Sequence, residues 1–388
     1  MKVSVMQKSL AKGLSVVGRA VAAKSTLPVI GNVLLATEDS KLKLAATNLE
    51  IAITCWTGAK IEEEGAITVP ARLYSELINS MPNERVDLIL NPKNRTLNVR
   101  CSRYEANIKG IDAEEFPPIP AVGHDTKVTA DPKVLHEAIG QVVFAAATDD
   151  TRPVLAGVLC RFRGDTLTLA AADGFRLSVR ELTLSSTAPS DVDVIVPARA
   201  LTELGRIIAD EEETEPVEII ITPNKAQALF HVAKSGEDIV SIDLVSRLIE
   251  GNFPNYQQII PRRDDATKAQ VSTDDFLKAT KVASFIARDA SNVVKLQLSA
   301  GDDLTPGQLT VAATAAEVGD TMTTIESIIQ GNSTQIAFNA KYLADVLSVV
   351  GDARVSLEVS SPSSPGVFRP VGDDKFTHVI MPMHISSK

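Results

Sequence analysis

KLKLAATNLEIAI (residues 41–53), TLTLAAADGFRLSV (residues 166–179) and QLTVAATAAEVGD (residues 308–320) are three versions of one phrase in a chain of 388 residues. Each opens on alternating apolar and polar residues, the period of a half-buried strand. Beyond the phrase comes a second shared motif: VPARLYSELI (69–78), VPARALTELGRII (196–208) and FNAKYLADVLSVV (338–350). Before each phrase lies a segment with helical spacing, over 6–23, 132–147 and 273–288. The first two copies also close alike, with FPPIP (116–120) and FPNYQQIIP (253–261).

The copies are spaced by about 125 and about 140 residues, far beyond the period of a solenoid, so each repeat is a domain. The length supports the same division, since single cores stop growing well short of it. The sequence predicts three α+β domains of one plan, 1–121, 122–262 and 263–388, with linkers at 112–130 and 252–271. Within VPAR the strand ends at proline and the helix begins beyond it, where the missing N–H costs nothing. NPKNR (91–95) and TPNKA (222–226) read as hairpin turns.

The formal net charge is -10, which taken alone argues against a nucleic-acid binder. Its distribution matters more. On a wheel of the first helix Lys8, Lys12 and Arg19 share one face, and Leu10, Leu14, Val17 and Val21 the other. No acid falls between Gln7 and Lys24. Arg199 and Arg206 align on the helix after the second VPAR, with Glu203 beside them. Lys281 and Arg288 align in the third copy, with Lys278 nearby. The acids fall mainly in loops, so a positive lining inside a negative exterior is the arrangement expected. A solvated helix face is the plainer reading of any one cluster, and only the repetition favours more.

Chemistry is harder to find. Cys55, Cys101 and Cys160 lack the spacing of a disulfide or zinc framework. No metal site and no cofactor are expected. GLSVVGRA (13–20) has the glycine spacing of a phosphate loop, but Arg19-Ala20 replaces Lys-Ser/Thr and the segment is helical. Asp149 and Asp150 read as a solvated turn. No run approaches the roughly 18 apolar residues of a membrane span, and the start lacks a signal-peptide core; a cytoplasmic chain with no membrane partner is expected. HVIMPMHISSK (378–388) is either a last core strand or the wall of an adaptable groove, since methionine suits both.

The motifs TLPVIGNVLL (26–35), AATNLEIAI (45–53), TVPAR (68–72), ADGFRLSV (172–179), EGNFPNY (250–256) and VIMPM (379–383) stand together in the order and spacing of a known family. The chain resembles the beta sliding clamps of bacterial DNA polymerase III over essentially its full length. The resemblance implies a non-enzymatic homodimer closed head to tail. Antiparallel sheets would lie outside, and paired helices would line a hole around duplex DNA held without sequence specificity. It implies dimer contacts at Ile108, Phe285 and Ile286, and further DNA-facing cations at Lys24, Arg72, Arg152 and Arg199. It implies a peptide pocket between the second and third domains for the polymerase III alpha subunit, the clamp loader and other clamp-binding-motif proteins. Its walls would be Leu155, Ala172, Gly174, Phe175, Arg176, Leu177, Pro254, Gln258, Ile259, Val379, Met381, Pro382 and Met383. Phe175, Gln258, His384 and the Pro153-Val154 pair depart from the family's usual residues. A triplicated peptide-binding scaffold that never encircles DNA is the main alternative, and a nucleotide-dependent enzyme resting on residues 13–20 the lesser one.

Overall fold

In a computed structural model of the chain, the residues described are 1–22, 27–119, 127–149, 151–209, 215–234, 238–261, 266–302 and 305–384. Six α-helices fall among them: α1 (Gln7–Val17), α2 (Ala71–Ser80), α3 (Pro132–Val142), α4 (Ala198–Ala209), α5 (Thr273–Ala287) and α6 (Ala340–Leu347). The predicted helices over 6–23 and 132–147 are shorter than their periodicity suggests. After Val17 and Val142 the chain tightens into 3-10 turns, Gly18–Ala20 and Val143–Ala145, a common way to end an α-helix. Val21, expected on the apolar helix face, is in extended backbone beyond that turn. Strands Ala66–Pro70 and Val192–Pro197 end at the proline of VPAR, and α2 and α4 begin at the next residue. The residues of NPKNR and TPNKA connect antiparallel strands, with Arg95 and Lys225 at φ 50° and 53°.

The chain divides into two compact units. The first comprises Met1–His136, Phe162–Thr166 and Thr183–Glu250. It holds a five-stranded sheet in the order Lys60–Glu63, Lys2–Met6, Arg85–Asn91, Thr96–Cys101, Tyr104–Lys109. It also holds an eight-stranded sheet: Lys127–Ala130, Val217–Ile221, Gln227–Ala233, Ser241–Arg247, Ile51–Gly58, Lys41–Thr47, Asn32–Glu38, Ala66–Pro70. The second repeat joins the first there: Ser241–Arg247 pairs antiparallel with Ile51–Gly58, Leu244 opposite Ile53. Helix α1 packs on α2 and on this sheet. Leu10, Leu14 and Val17 are buried as the apolar face requires. Gly13 faces the sheet so closely that a Cβ there would lie 2.6 Å from Leu44 Cδ1. That glycine permits helix-on-sheet packing, which accounts for Gly13, while a Cβ on Gly18 would meet nothing within 4 Å.

The second unit comprises Glu137–Arg161, Leu167–Leu182 and Gly251–Lys388. Its larger sheet runs Gly157–Arg163, Thr166–Ala172, Arg176–Thr183, Phe376–Ile380, Gly366–Pro370, Arg354–Val359, Thr267–Ser272, Ile328–Gln330. Here the third repeat joins the second, with His378 opposite Ser178. A four-stranded sheet follows the order Gly319–Glu326, Gln308–Ala315, Val293–Ser299, Thr334–Asn339. Helices α5 and α6 pack together over a core holding Phe276, Phe338, Phe368 and Phe376. Helix α5 starts where Ser272 accepts the Asp275 N–H, with Asp274 and Asp275 placed to favour the positive end of its dipole.

The segment 252–271 is more than a linker. Tyr256 is buried, and Phe253 and Ile260 pack against the same apolar cluster, while Thr267–Ser272 is already a strand of the third repeat. Lys127–Ala130 likewise belongs to a sheet. All three cysteines are free thiols in buried positions, and burial raises the Cys160 pKa to about 12.

Candidate functional site

The second unit brings part of the expected pocket together. Ala172, Leu177 and Val379 share one buried cluster with Leu159, Ala170, Val179, Val367 and Tyr256. Apolar side chains stand in solvent at the ends of the elements that carry this floor: Phe175 is 60% exposed, Met381 42% and Ile259 39%. Leu155, Pro382 and Met383 are half-buried, and Gly174, Pro254 and Gln258 are exposed. The tail is tied down by its backbone. Met381 donates its N–H to the Phe175 carbonyl at 2.8 Å, and Met383 to the Ala337 carbonyl at 2.8 Å. Of the two readings of Met-Pro-Met, the core strand ends at Ile380 and the methionines lie beyond it, partly in solvent.

The turn bearing Phe175 is built by Asp173, whose Oδ1 accepts the N–H groups of Phe175 and Arg176 at 2.8 and 3.0 Å. Gly174 adopts φ 95°, a left-handed conformation that glycine reaches without strain. Arg176 is held from several sides. Its guanidinium donates to Asp173 at 3.0 Å, to Asp345 of α6 at 2.6 Å and to the Phe144 carbonyl at 2.7 Å. It also lies over the Tyr342 ring at 4.4 Å and the Phe144 ring at 5.2 Å. Asp345, Phe144, Tyr342 and Tyr256 were not legible as site residues. Only the Asp-x-x-Arg spacing of 173 and 176, and the aromatic residues of FPNY, carried any signal.

Arg152 is placed beside this turn. A Cβ on Gly174 would lie 3.0 Å from its Nη1, and one on Gly251 would lie 2.8 Å from Val154. Arg152 also reaches Asp149 at 3.5 Å, and Asp149 accepts the Thr151 N–H at 3.0 Å, so this carboxylate organises a turn.

The cations expected to face DNA are mostly in solvent. Lys8, Arg72, Arg199, Arg206, Lys278 and Lys281 are exposed, and Lys12 and Arg19 half-buried; Lys24 lies outside the described residues. The face of α1 is less purely basic than its own sequence suggests. Asp238, distant in the chain, accepts the Ser9 hydroxyl at 2.7 Å and sits 3.6 Å from Lys8. The Ser9 hydrogen bond, then the Lys8 charge, holds the Asp238 pKa below its ordinary value despite partial burial. Arg72 pairs with Glu76 at 2.9 Å, Arg206 with Glu203 at 2.9 Å and Lys278 with Asp275 at 4.0 Å. The exposed pairs of Arg72 and Lys278 are worth little and are screened by salt, whereas Glu203 is buried.

At the residues expected to meet a second copy, Phe285 is 64% exposed, whereas Ile286 is half-buried against the core of its own unit. Ile108 is buried, so its side chain is spent within its own sheet. It belongs to Tyr104–Lys109, which is the last strand of the five-stranded sheet.

Comparison with known proteins agrees with this architecture. Family models described as the N-terminal, central and C-terminal domains of the DNA polymerase III beta subunit match residues 1–120, 129–255 and 257–384. The "Beta sliding clamp" of Synechococcus elongatus is 33% identical, covering 100% of both chains. That of Synechocystis sp. is 31% identical, covering 99% of this chain and 100% of the relative. A crystal structure described as the DNA polymerase sliding clamp from Bacillus subtilis superposes with a TM-score of 0.89 at 27% identity, covering 99% of each chain. With three successive domain matches, full-length relatives and the same repeated sheets, the chain belongs to the DNA polymerase III beta subunit family, the beta sliding clamps.

Proposed function

We propose that two copies of this chain close into a ring around duplex DNA and act as a non-catalytic processivity factor in the cytoplasm. The observation that carries this reading is the way repeats join. Leu244 stands opposite Ile53 and His378 opposite Ser178. Ala46 of the shared phrase pairs with Ile53, and its counterpart Ala313 pairs with Thr321, so Thr321 occupies in the third repeat the place of Ile53. Counting through the strand ladders from the starts of α1, α3 and α5, Ala106 occupies in the first repeat the place of Leu244 and His378.

The strands carrying those two residues, Tyr104–Lys109 and Gly319–Glu326, are terminal in their sheets among the described residues. Unpaired edges are a liability unless something covers them. Pairing Ala106 of one copy with Thr321 of the next repeats the existing junctions, and two copies joined at both edges close with two-fold symmetry. Side chains facing one way then meet: Ala106 and Thr321 are both half-buried, while Met322 beside the latter is 73% exposed.

A threaded ring needs no tight grip, which reconciles exposed cations with a net charge of -10. The apolar surface around Phe175 and Met381 is read as the dock for short segments of the polymerase alpha subunit, the clamp loader and other clamp-binding proteins. The three domains are taken as 1–121, 122–262 and 263–388. No helix among the described residues is long and apolar enough to cross a membrane. Small-angle X-ray scattering tests the assembly: the mass of two chains with the distance distribution of a hollow disc is expected. A monomer at micromolar concentration would favour the scaffold that never encircles DNA.

A further inference from the structure

The plan of the Phe175–Met381 site is written a second time, wholly within the first unit. Arg247 donates its N–H to the Glu50 carbonyl at 2.9 Å, as Met381 does to Phe175. Asn48 Oδ1 accepts the N–H groups of Glu50 and Ile51 at 3.0 and 2.9 Å, as Asp173 does for Phe175 and Arg176. Leu49 takes φ 74° where Gly174 takes 95°. Beneath, Val29, Ile30, Ala45 and Phe116 form a buried apolar cluster, with Ile119 of FPPIP packed on it. Between these elements lies a cavity of about 120 Å³ whose lining includes Leu49, Glu50, Pro117, Ile119, Val245 and Arg247.

The differences between the two sites set the ligand. The cavity is smaller than the ~150 Å³ that admits benzene, so it takes one aliphatic side chain. Leucine at positive φ is strained where glycine would not be, and this strain is kept where the side chain makes an apolar wall. Exposed Arg247 replaces Met381 and offers a planar guanidinium to a carboxylate. Exposed Glu50 replaces Phe175 and can accept a backbone N–H from an extended chain.

We propose that this cavity is a second peptide-docking site, taking an extended acidic–aliphatic segment of a partner protein, its leucine in the cavity and the adjacent aspartate or glutamate side chain on Arg247. The argument rests on reading the Phe175–Met381 surface as a peptide site, and the test separates the two.

The probe is acetyl-Asp-Leu-Leu-amide with its first leucine replaced by diazirine photo-leucine, cross-linked to the full-length chain and mapped by mass spectrometry. Labelling of residues 49–51 or 117–119 is expected. It should persist in the Met381→Ala, Met383→Ala double variant and fall about ten-fold in Leu49→Gly, in Arg247→Ala and with an asparagine probe. Leu49→Gly relieves backbone strain, and Arg247 is exposed, so neither change should unfold the chain; circular dichroism checks this. Labelling confined to the surface around Phe175 and Met381 overturns the second site and leaves the first standing. Labelling at residues 49–51 or 117–119 alone supports the second and removes the first. Labelling at neither overturns both, and equal labelling by the asparagine probe overturns the role given to Arg247.

Discussion

Ser178 and His378 face each other across the strands that join the second and third repeats, hydroxyl oxygen to ring Nδ1 at 2.6 Å. The imidazole is fully buried and stacked on Phe144 at 5.3 Å between centroids. Burial, with a smaller contribution from the Arg176 charge, lowers its pKa to about 3. The folded chain therefore holds a neutral ring where the unfolded chain protonates it. Stability from that neutral ring is complete above the ordinary histidine pKa of 6.5 and is lost as pH falls from there toward 3. The loss approaches about 1.4 kcal/mol per pH unit within the window. His378→Phe keeps an aromatic ring beside Phe144 and removes the titration. Urea unfolding at pH 6.5 and 4.5 should show a smaller acid loss in the variant, and an equal loss would assign acid sensitivity to other groups.

Arg176 should be costly to truncate. Its side chain is only 8% exposed, and Arg176→Ala would strand Asp173 and Asp345. Breaking such a buried pair costs about 3–5 kcal/mol. Arg176→Lys, which cannot serve both carboxylates and two rings, should recover only part. Denaturant unfolding of both variants measures this, and a cycle with Asp345→Ala gives the coupling.

At the peptide surface, binding and stability should separate. Phe175→Ala and the Met381→Ala, Met383→Ala pair remove side chains that are largely outside the core. Each should weaken a polymerase-derived peptide by about ten-fold or more in calorimetric titration, because aromatic and apolar anchors dominate such sites. Thermal unfolding should move little. Unchanged affinity would relocate the pocket.

Asn107→Pro tests the edge pairing. Arg247, at the equivalent register position to Lys109, donates its N–H outward to Glu50, and period two gives Asn107 the same outward direction. Proline there leaves its own sheet's donors intact but removes one that a second copy needs. Losing one hydrogen bond at each of the two junctions, about 1.4 kcal/mol apiece, weakens dimerisation about a hundred-fold. Analytical ultracentrifugation should find a folded monomer at concentrations where the native chain is dimeric.

The repeats were legible because strand alternation and the VPAR boundary are local signals, fixed by burial on one face and by proline. The helix ends were not, since the turns at Gly18–Ala20 and Val143–Ala145 carry the same apolar residues as the helices before them. Residues 13–20 were legible as no phosphate loop, but the reason for Gly13 was not, because Leu44 comes against it only through the fold. The apolar walls proposed for the site come from the family resemblance. The electrostatics were not legible, because Asp345 reaches Arg176, and Asp238 reaches Lys8, only through the fold.

Topological retention tests the central claim most directly. The chain would be loaded on a nicked circular duplex by the proposed clamp loader, separated by gel filtration, and the circle then cut once by a restriction enzyme. The ring account expects protein to co-elute with the circle and to be lost on linearisation, with Lys12→Glu, Arg19→Glu and Lys24→Glu together reducing retention while the dimer stays intact. Equal retention on circular and linear DNA would contradict it, as would a native chain that never co-elutes with the circle.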